Sequence, residues 1–125
     1  MNIYQHVEIL VREIDSKLLI ATLAAARGHE VLISDIEILE KGIKRGILTP
    51  GIFHTKSLTP GESKIKRHQA IIDNGFLISS MDEEGGLVER GYEKEAKFRF
   101  SDQSIDQASA IFGWGSEDIE TLSKV

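Results

Sequence analysis

The sequence predicts a three-layer α/β/α architecture built on a mainly parallel sheet. Three observations predict it. Short β-rich runs alternate with helical runs along the chain, helix start and stop signals separate them, and 125 residues suffice for one core but not for two. Strands that alternate with helices need crossover connections, which make neighbouring strands parallel and put helices on both faces. Residues 1–125 therefore read as a single Rossmann-like domain with the first strand inside the sheet.

The elements follow in order. Ile3 to Val11 reads as a strand of mixed polarity, with Gln5, His6 and Glu8 among Ile3, Val7, Ile9, Leu10 and Val11. Asp15 or Ser16 can cap a helix that runs to Arg27 and stops at Gly28, where glycine favours the left-handed conformation. That helix is apolar on nearly every side, from Leu18 to Ala26, so it is expected to be covered twice. Val31 to Ser34 is a short strand, and Asp35 caps a helix to about Arg45. Leu48 to Thr55 forms the third strand, entered through Thr49-Pro50-Gly51. In "TPGE", Thr59 fits an N-cap, Pro60 the first helical position and Glu62 the capping-box partner of a helix ending at Asn74 and Gly75. Phe76 to Ser80 is the fourth strand. Leu87 to Lys97 reads as helical with Gly91 as a flaw, and Ser101 caps a short helix to Ala108. Ala110 to Gly113 is a fifth strand, and Ser116 caps a last helix with Ile119 and Leu122 on one face.

Composition narrows the function classes. Apolar residues at 41% and charged residues at 28% fit a folded globular chain, and no apolar run is long enough to span a bilayer. Gln5, His6 and Glu8 interrupt the N-terminal region where a signal peptide would be apolar. Without cysteine there is neither disulfide nor thiolate chemistry, which suits a reducing cytoplasm. A net charge of −5 argues against a general grip on nucleic acid, though not against a local anion pocket. The first turn, "VREIDSK", lacks the glycines of a dinucleotide site, and no Walker A loop is present, so no cofactor is expected. A receiver domain would need acids after the first and third strands; this chain has Glu13, then His54 and Lys56.

Ligands of parallel sheets bind beyond the carboxyl ends of the strands, so the residues there are the candidates. Asp82, Glu83 and Glu84 can supply a general base or bind a hard cation, with Gly85 and Gly86 admitting a close approach of backbone. They can equally form an acidic turn that caps the next helix. Adjacent acids do not all point inward, so no tightly bound metal is expected. His54 and Lys56 share one side of the third strand and suit an anionic group, or a solvated loop. Arg12, beside a helix start, can assist anion binding or pair with Glu13 or Asp35. Lys64, Lys66, Arg67 and His68 read as the wet face of a helix, and Trp114 as a packing or domain-contact residue.

Four stretches, "VEILVREIDSKLLIATLAAARGHEVLI", "GIFHTKSL", "LISSMDEEGGL" and "IFGWGSEDIETL", together resemble the N-terminal half of bacterial surface carbohydrate (surface polysaccharide) biosynthesis proteins. Those proteins are related to glycosyltransferases of the GT-B type. The resemblance covers almost the whole chain and lies in motif order as well as wording. It implies two Rossmann-like domains facing each other across a cleft, the N-terminal one holding a carbohydrate acceptor and the C-terminal one a nucleotide-sugar donor, with no metal required. The matching positions are Arg12, Glu13, Asp15 and Lys17, then His54 and Lys56, then Asp82 to Gly86. On that reading Glu83 or Glu84 is the catalytic base and His54 the next candidate, while Arg12, Lys56, Asp82, Gly85 and Gly86 hold ligand. The second glycine of "DEEGG" departs from a commoner "DEEG" followed by an apolar residue, which leaves the geometry of that turn open.

The donor half is missing, so the chain reads as part of a longer transferase, inactive alone, in the cytoplasm or at the inner face of the membrane. Homo-oligomers are compatible with this reading. The rival expectation is a free-standing Rossmann-like ligand-binding or regulatory module.

Overall fold

A computed structural model describes residues 1–83 and 91–124. The described elements are five strands and six helices in an α/β arrangement. In chain order they are β1 (Asn2–His6), α1 (Leu10–Ala25), β2 (Glu30–Ser34), α2 (Ile36–Lys44), β3 (Ile52–Thr55), α3 (Glu62–Asp73) and β4 (Leu77–Met81), followed by α4 (Tyr92–Arg99), α5 (Asp102–Asp106), β5 (Ala110–Phe112) and α6 (Ser116–Leu122). The sheet is parallel, in the order β2-β1-β3-β4-β5, so β1 lies inside it and β2 and β5 are its edges. This is the three-layer Rossmann-like class that the alternation predicts. Its contacts divide the chain into two compact units, one of Met1–His54 with Ile71–Leu77 and one of Thr55–Ala70 with Ile78–Val125.

The first unit has its apolar core on one face of the sheet. Tyr4 pairs in register with Phe53, and both are buried with Leu39, Ile43, Ile71 and Phe76. The Tyr4 and Phe76 rings meet at 5.6 Å, and the Tyr4 hydroxyl donates to the Thr49 carbonyl at 2.6 Å. Burial, and then the charge of Glu30, raises the Tyr4 pKa above its ordinary value. His6 belongs to this core, stacked nearly flat on Phe53 at 5.7 Å. In the second unit Leu58, Ile78 and Ala96 are buried, and so are Ser104 and Gln107.

Several boundaries move, each for a local reason. β1 stops at His6, not Val11, and α1 starts at Leu10, ahead of Asp15 and Ser16. The side chain of Glu13, within the first turn, reaches back so that its Oε2 accepts from the Glu8 and Ile9 amides at 2.7 and 3.0 Å. A carboxylate thus satisfies donors that a capping residue would otherwise serve. Asp35 caps α2 as the sequence predicts, accepting from the Glu37 amide at 2.7 Å. The "TPGE" box does not form. Ser57 Oγ engages the Thr59 hydroxyl at 2.7 Å, and α3 begins at Glu62 instead. Ser101 does form its capping box, closed by Ser104. Gly28 and Gly75 end α1 and α3 with φ of +85° and +90°, as expected of helix-stopping glycines. Gly91 is the N-cap of α4, not a flaw inside it.

Helix α1 departs most from expectation. Glu13 and Lys17 are its buried residues, whereas Val11, Leu18, Leu19 and Leu23 are exposed. The apolar cover expected on its second side is not present among the described residues.

Gly51 is required where β3 starts beside β1. A Cβ there would run into the Asn2 carbonyl of β1, and the Gly51 carbonyl accepts from the Leu77 amide at 2.9 Å. Gly51→Ala is therefore expected to cost about 1–3 kcal/mol, because backbone rather than a flexible side chain must move. Urea unfolding measures this, and an unchanged midpoint would contradict it.

Candidate functional site

In the first unit the carboxyl ends of β1 and β3 carry a polar cluster on the face opposite the aromatic core. Gln5 pairs in register with His54, so their side chains share that face. Lys17 and Glu13 descend from α1, only 2% and 1% exposed. The Gln5 amide nitrogen donates to the Lys17 carbonyl at 3.3 Å and ties strand to helix. Gln5 is fully buried, and its Oε1 has no hydrogen-bond partner among the described residues. A buried acceptor without a donor costs about 1–3 kcal/mol, so this oxygen is a polar cost carried inside the first unit.

His54 is half-buried beside this group. Burial, reinforced by the positive charge of Lys17, lowers its pKa from 6.5 to about 4. At pH 7 the ring is neutral and presents one donor and one acceptor nitrogen. It is a hydrogen-bonding group more than a proton store. Arg12 is exposed on the first turn of α1, outside the buried cluster.

In the second unit Lys56 follows β3, half-buried, and its carbonyl accepts from the Glu83 amide at 3.4 Å. Glu83 is also half-buried. Asp82, directly after β4, is engaged by the fold. Its Oδ2 accepts from Arg99 Nη1 at 2.7 Å, and its carbonyl accepts from the Trp114 indole. Glu95 joins at 3.5 Å, and the hydrogen bond to Asp82 is the leading cause that raises the Arg99 pKa. Trp114 is nonetheless 55% exposed. Glu84, Gly85 and Gly86 lie outside the described residues.

The basic run on α3 is not uniformly wet. His68 is 3% exposed, and burial followed by the charges of Lys64 and Arg67 lowers its pKa to about 4. Lys64 Nζ donates to Ser57 Oγ at 3.2 Å, while Lys66 pairs with Glu62 on the surface at 2.6 Å. A cavity of about 540 Å³ opens between α4 and α6, where Glu93, Glu117 and Glu120 face Lys94 and Lys124. It lies between two surface helices and not at the strand ends. Among the described residues no group of three His, Cys, Asp or Glu is arranged to hold a metal, and no helix is long and apolar enough to cross a membrane.

The sequence reading brought His54 and Lys56 to the end of β3 but missed Gln5 and under-used Lys17. A glutamine inside a strand and a lone lysine beside "LLIATLAAA" were the available signals. No family model, no curated protein and no solved structure matches the chain.

The two histidines give the fold a pH dependence. In the folded protein they stay neutral down to about pH 4, whereas in the unfolded chain they take up protons below about 6.5. The unfolded state binds more protons in that window, so stability is complete above about pH 6.5 and is lost as pH falls towards 4. Melting temperature measured between roughly pH 7 and 4.5 is expected to fall, and the double variant His54→Gln/His68→Gln to flatten the slope. An identical slope in the double variant would contradict this.

Proposed function

We propose that the chain is the acceptor-side, N-terminal domain of a glycosyltransferase-like protein of surface polysaccharide biosynthesis. In that role it binds a carbohydrate acceptor while a second domain supplies the nucleotide-activated sugar. The order of the four resembling stretches supports this reading, as does the Rossmann-like fold that carries them. One observation carries it at the level of chemistry: neutral His54 and Gln5, whose side-chain oxygen accepts no hydrogen bond among the described residues, are register partners at the carboxyl ends of adjacent strands. Neutral donors and acceptors are what sugar hydroxyls need, and a charged imidazole would select anions instead.

Within this reading the acids after β4 take the acceptor proton. In the second unit Glu83, or Glu84 next to it in sequence, is the base and Lys56 holds an anionic part of a ligand; in the first unit His54 orients a hydroxyl and Arg12 binds an anionic group. Asp82 itself is engaged by Arg99. General-base assistance contributes about 100- to 10,000-fold. In the longer protein Glu83→Gln or Glu84→Gln is therefore expected to lower kcat by that order, whereas Lys56→Ala raises KM.

A ligand-binding module without transfer is the second reading. It is favoured by the fact that Gln5, Lys17 and His54 all belong to the first unit, so their cluster needs no further domain. Titration of the isotope-labelled chain with neutral mono- and oligosaccharides separates the outcomes. Both readings predict shifts of the Gln5 side-chain amide that are lost in His54→Ala. Sugar transfer by the longer protein supports the first reading, and binding without transfer supports the second. Absence of any shift at millimolar sugar overturns the carbohydrate assignment for this site.

A further inference from the structure

Trp114 is the chain's single tryptophan, and the second unit holds it in place without covering it. Its indole N–H donates to the Asp82 carbonyl, and its own amide donates to Asp118 Oδ2 at 3.0 Å. Ring edge and main chain are both tied, yet the residue stays 55% exposed. A tryptophan kept for packing buries its ring. Here the fold uses the polar edge and leaves much of the apolar ring towards solvent. The anchor is itself fixed. The peptide between Asp82 and Glu83 is gripped from two sides, its carbonyl by the indole and its N–H by the Lys56 carbonyl at 3.4 Å. Asp82 Oδ2 accepts from Arg99, which Glu95 also engages, and these three side chains are largely buried. Asp82 and Trp114 follow the adjacent strands β4 and β5, at the carboxyl ends where parallel sheets bind ligands.

We infer that the exposed indole is the stacking platform of a neutral pyranose, set one peptide away from Glu83. The inference rests on the carbohydrate reading above and names a subsite for it in the second unit. A pyranose presents a C–H face and a rim of hydroxyls, so it needs an apolar plane bordered by polar groups. The indole and the Asp82–Arg99–Glu95 group supply those two halves. Charge selects among flat ligands. Among the described residues around the anchor, Asp82, Glu83, Glu95 and Asp118 outweigh Arg99 and Lys56, so a nucleotide would bring its phosphates to an acidic rim. A cation would seek a carboxylate still lacking a partner, whereas Asp82 and Glu95 share Arg99 and Asp118 holds the Trp114 amide. An apolar protein surface laid on the ring would also cut the neighbouring ion pair off from water. Sugar hydroxyls replace that water with hydrogen bonds. Because the ring is already held at its edge and main chain, little side-chain entropy remains to be lost on binding.

Since tryptophan occurs once, its indole N–H gives one resonance in the isotope-labelled chain and reports on this position alone. Titration with the methyl pyranosides of glucose, galactose and mannose is expected to shift it saturably at millimolar concentration, with the Glu83 amide moving alongside. Trp114→Phe keeps an aromatic face and Trp114→Leu does not, while both lose the bond to Asp82. Binding followed at the Glu83 amide should weaken about 10-fold or more in Trp114→Leu and clearly less in Trp114→Phe, whereas the melting temperature falls alike in both. The Gln5 side-chain amide, in the first unit, separates this proposal from the reading beneath it. A sugar that shifts Gln5 and leaves the indole unmoved overturns the platform and keeps the carbohydrate assignment. One that moves neither overturns both, and one that moves the indole alone supports the platform and removes the first-unit site. Equal loss of affinity in Trp114→Phe and Trp114→Leu also overturns the platform. So does a shift of the indole by free uridine diphosphate or tetramethylammonium at lower concentration than the methyl pyranosides.

Discussion

The carboxylate of Glu13, buried and bonded to the amides of Glu8 and Ile9, is the constraint on which the first unit depends. It fixes the turn between β1 and α1 and commits that side of the helix to face the sheet. Lys17, one turn on, is buried too, and its charge adds to the burial that keeps His54 neutral. A burial of two charged groups is costly unless their polar atoms are satisfied. Here the Glu8 and Ile9 amides satisfy the Glu13 carboxylate, and the Gln5 amide ties the strand to the main-chain carbonyl of Lys17.

The fold was legible because alternation of strand and helix survives errors at the boundaries. Gly28, Asp35, Gly75 and Ser101 act locally, through φ preference or a hydrogen bond within three residues, and each does in the structure what its type suggests. Thr59 and Ser16 were misread for a shared reason. A hydroxyl has several local partners to choose from, and Ser57 in one case and the Glu13 carbonyl in the other outcompete the cap. The orientation of α1 was hidden because a helix with apolar residues all around gives no preferred face. Of its four charged residues, Glu13 and Lys17 mark the inner side, against the usual rule, while Arg12 and Asp15 are exposed.

At the candidate site, strand ends were legible and chemistry was not. His54 lies on β3 as expected, whereas Lys56 falls just past the strand's end at Thr55. The neutrality of His54 comes from its burial and then from a lysine distant in sequence, and the partnership of Asp82 with Arg99 crosses a span that no spacing rule connects. The same holds for His68, which sits in a basic run yet is buried, because Lys64 leans to Ser57 while Lys66 reaches outward to Glu62.

The inward charges of α1 also bear on how the protein breathes. When an ordinary amphipathic helix lifts from its sheet, it exposes apolar surface, and the hydrophobic effect closes it again. When α1 lifts, Glu13 and Lys17 regain water, which offsets much of what the opening costs. Its amides therefore belong to the early-exchanging part of the molecule, ahead of those of α2, whose Leu39 and Ile43 are buried in the aromatic core.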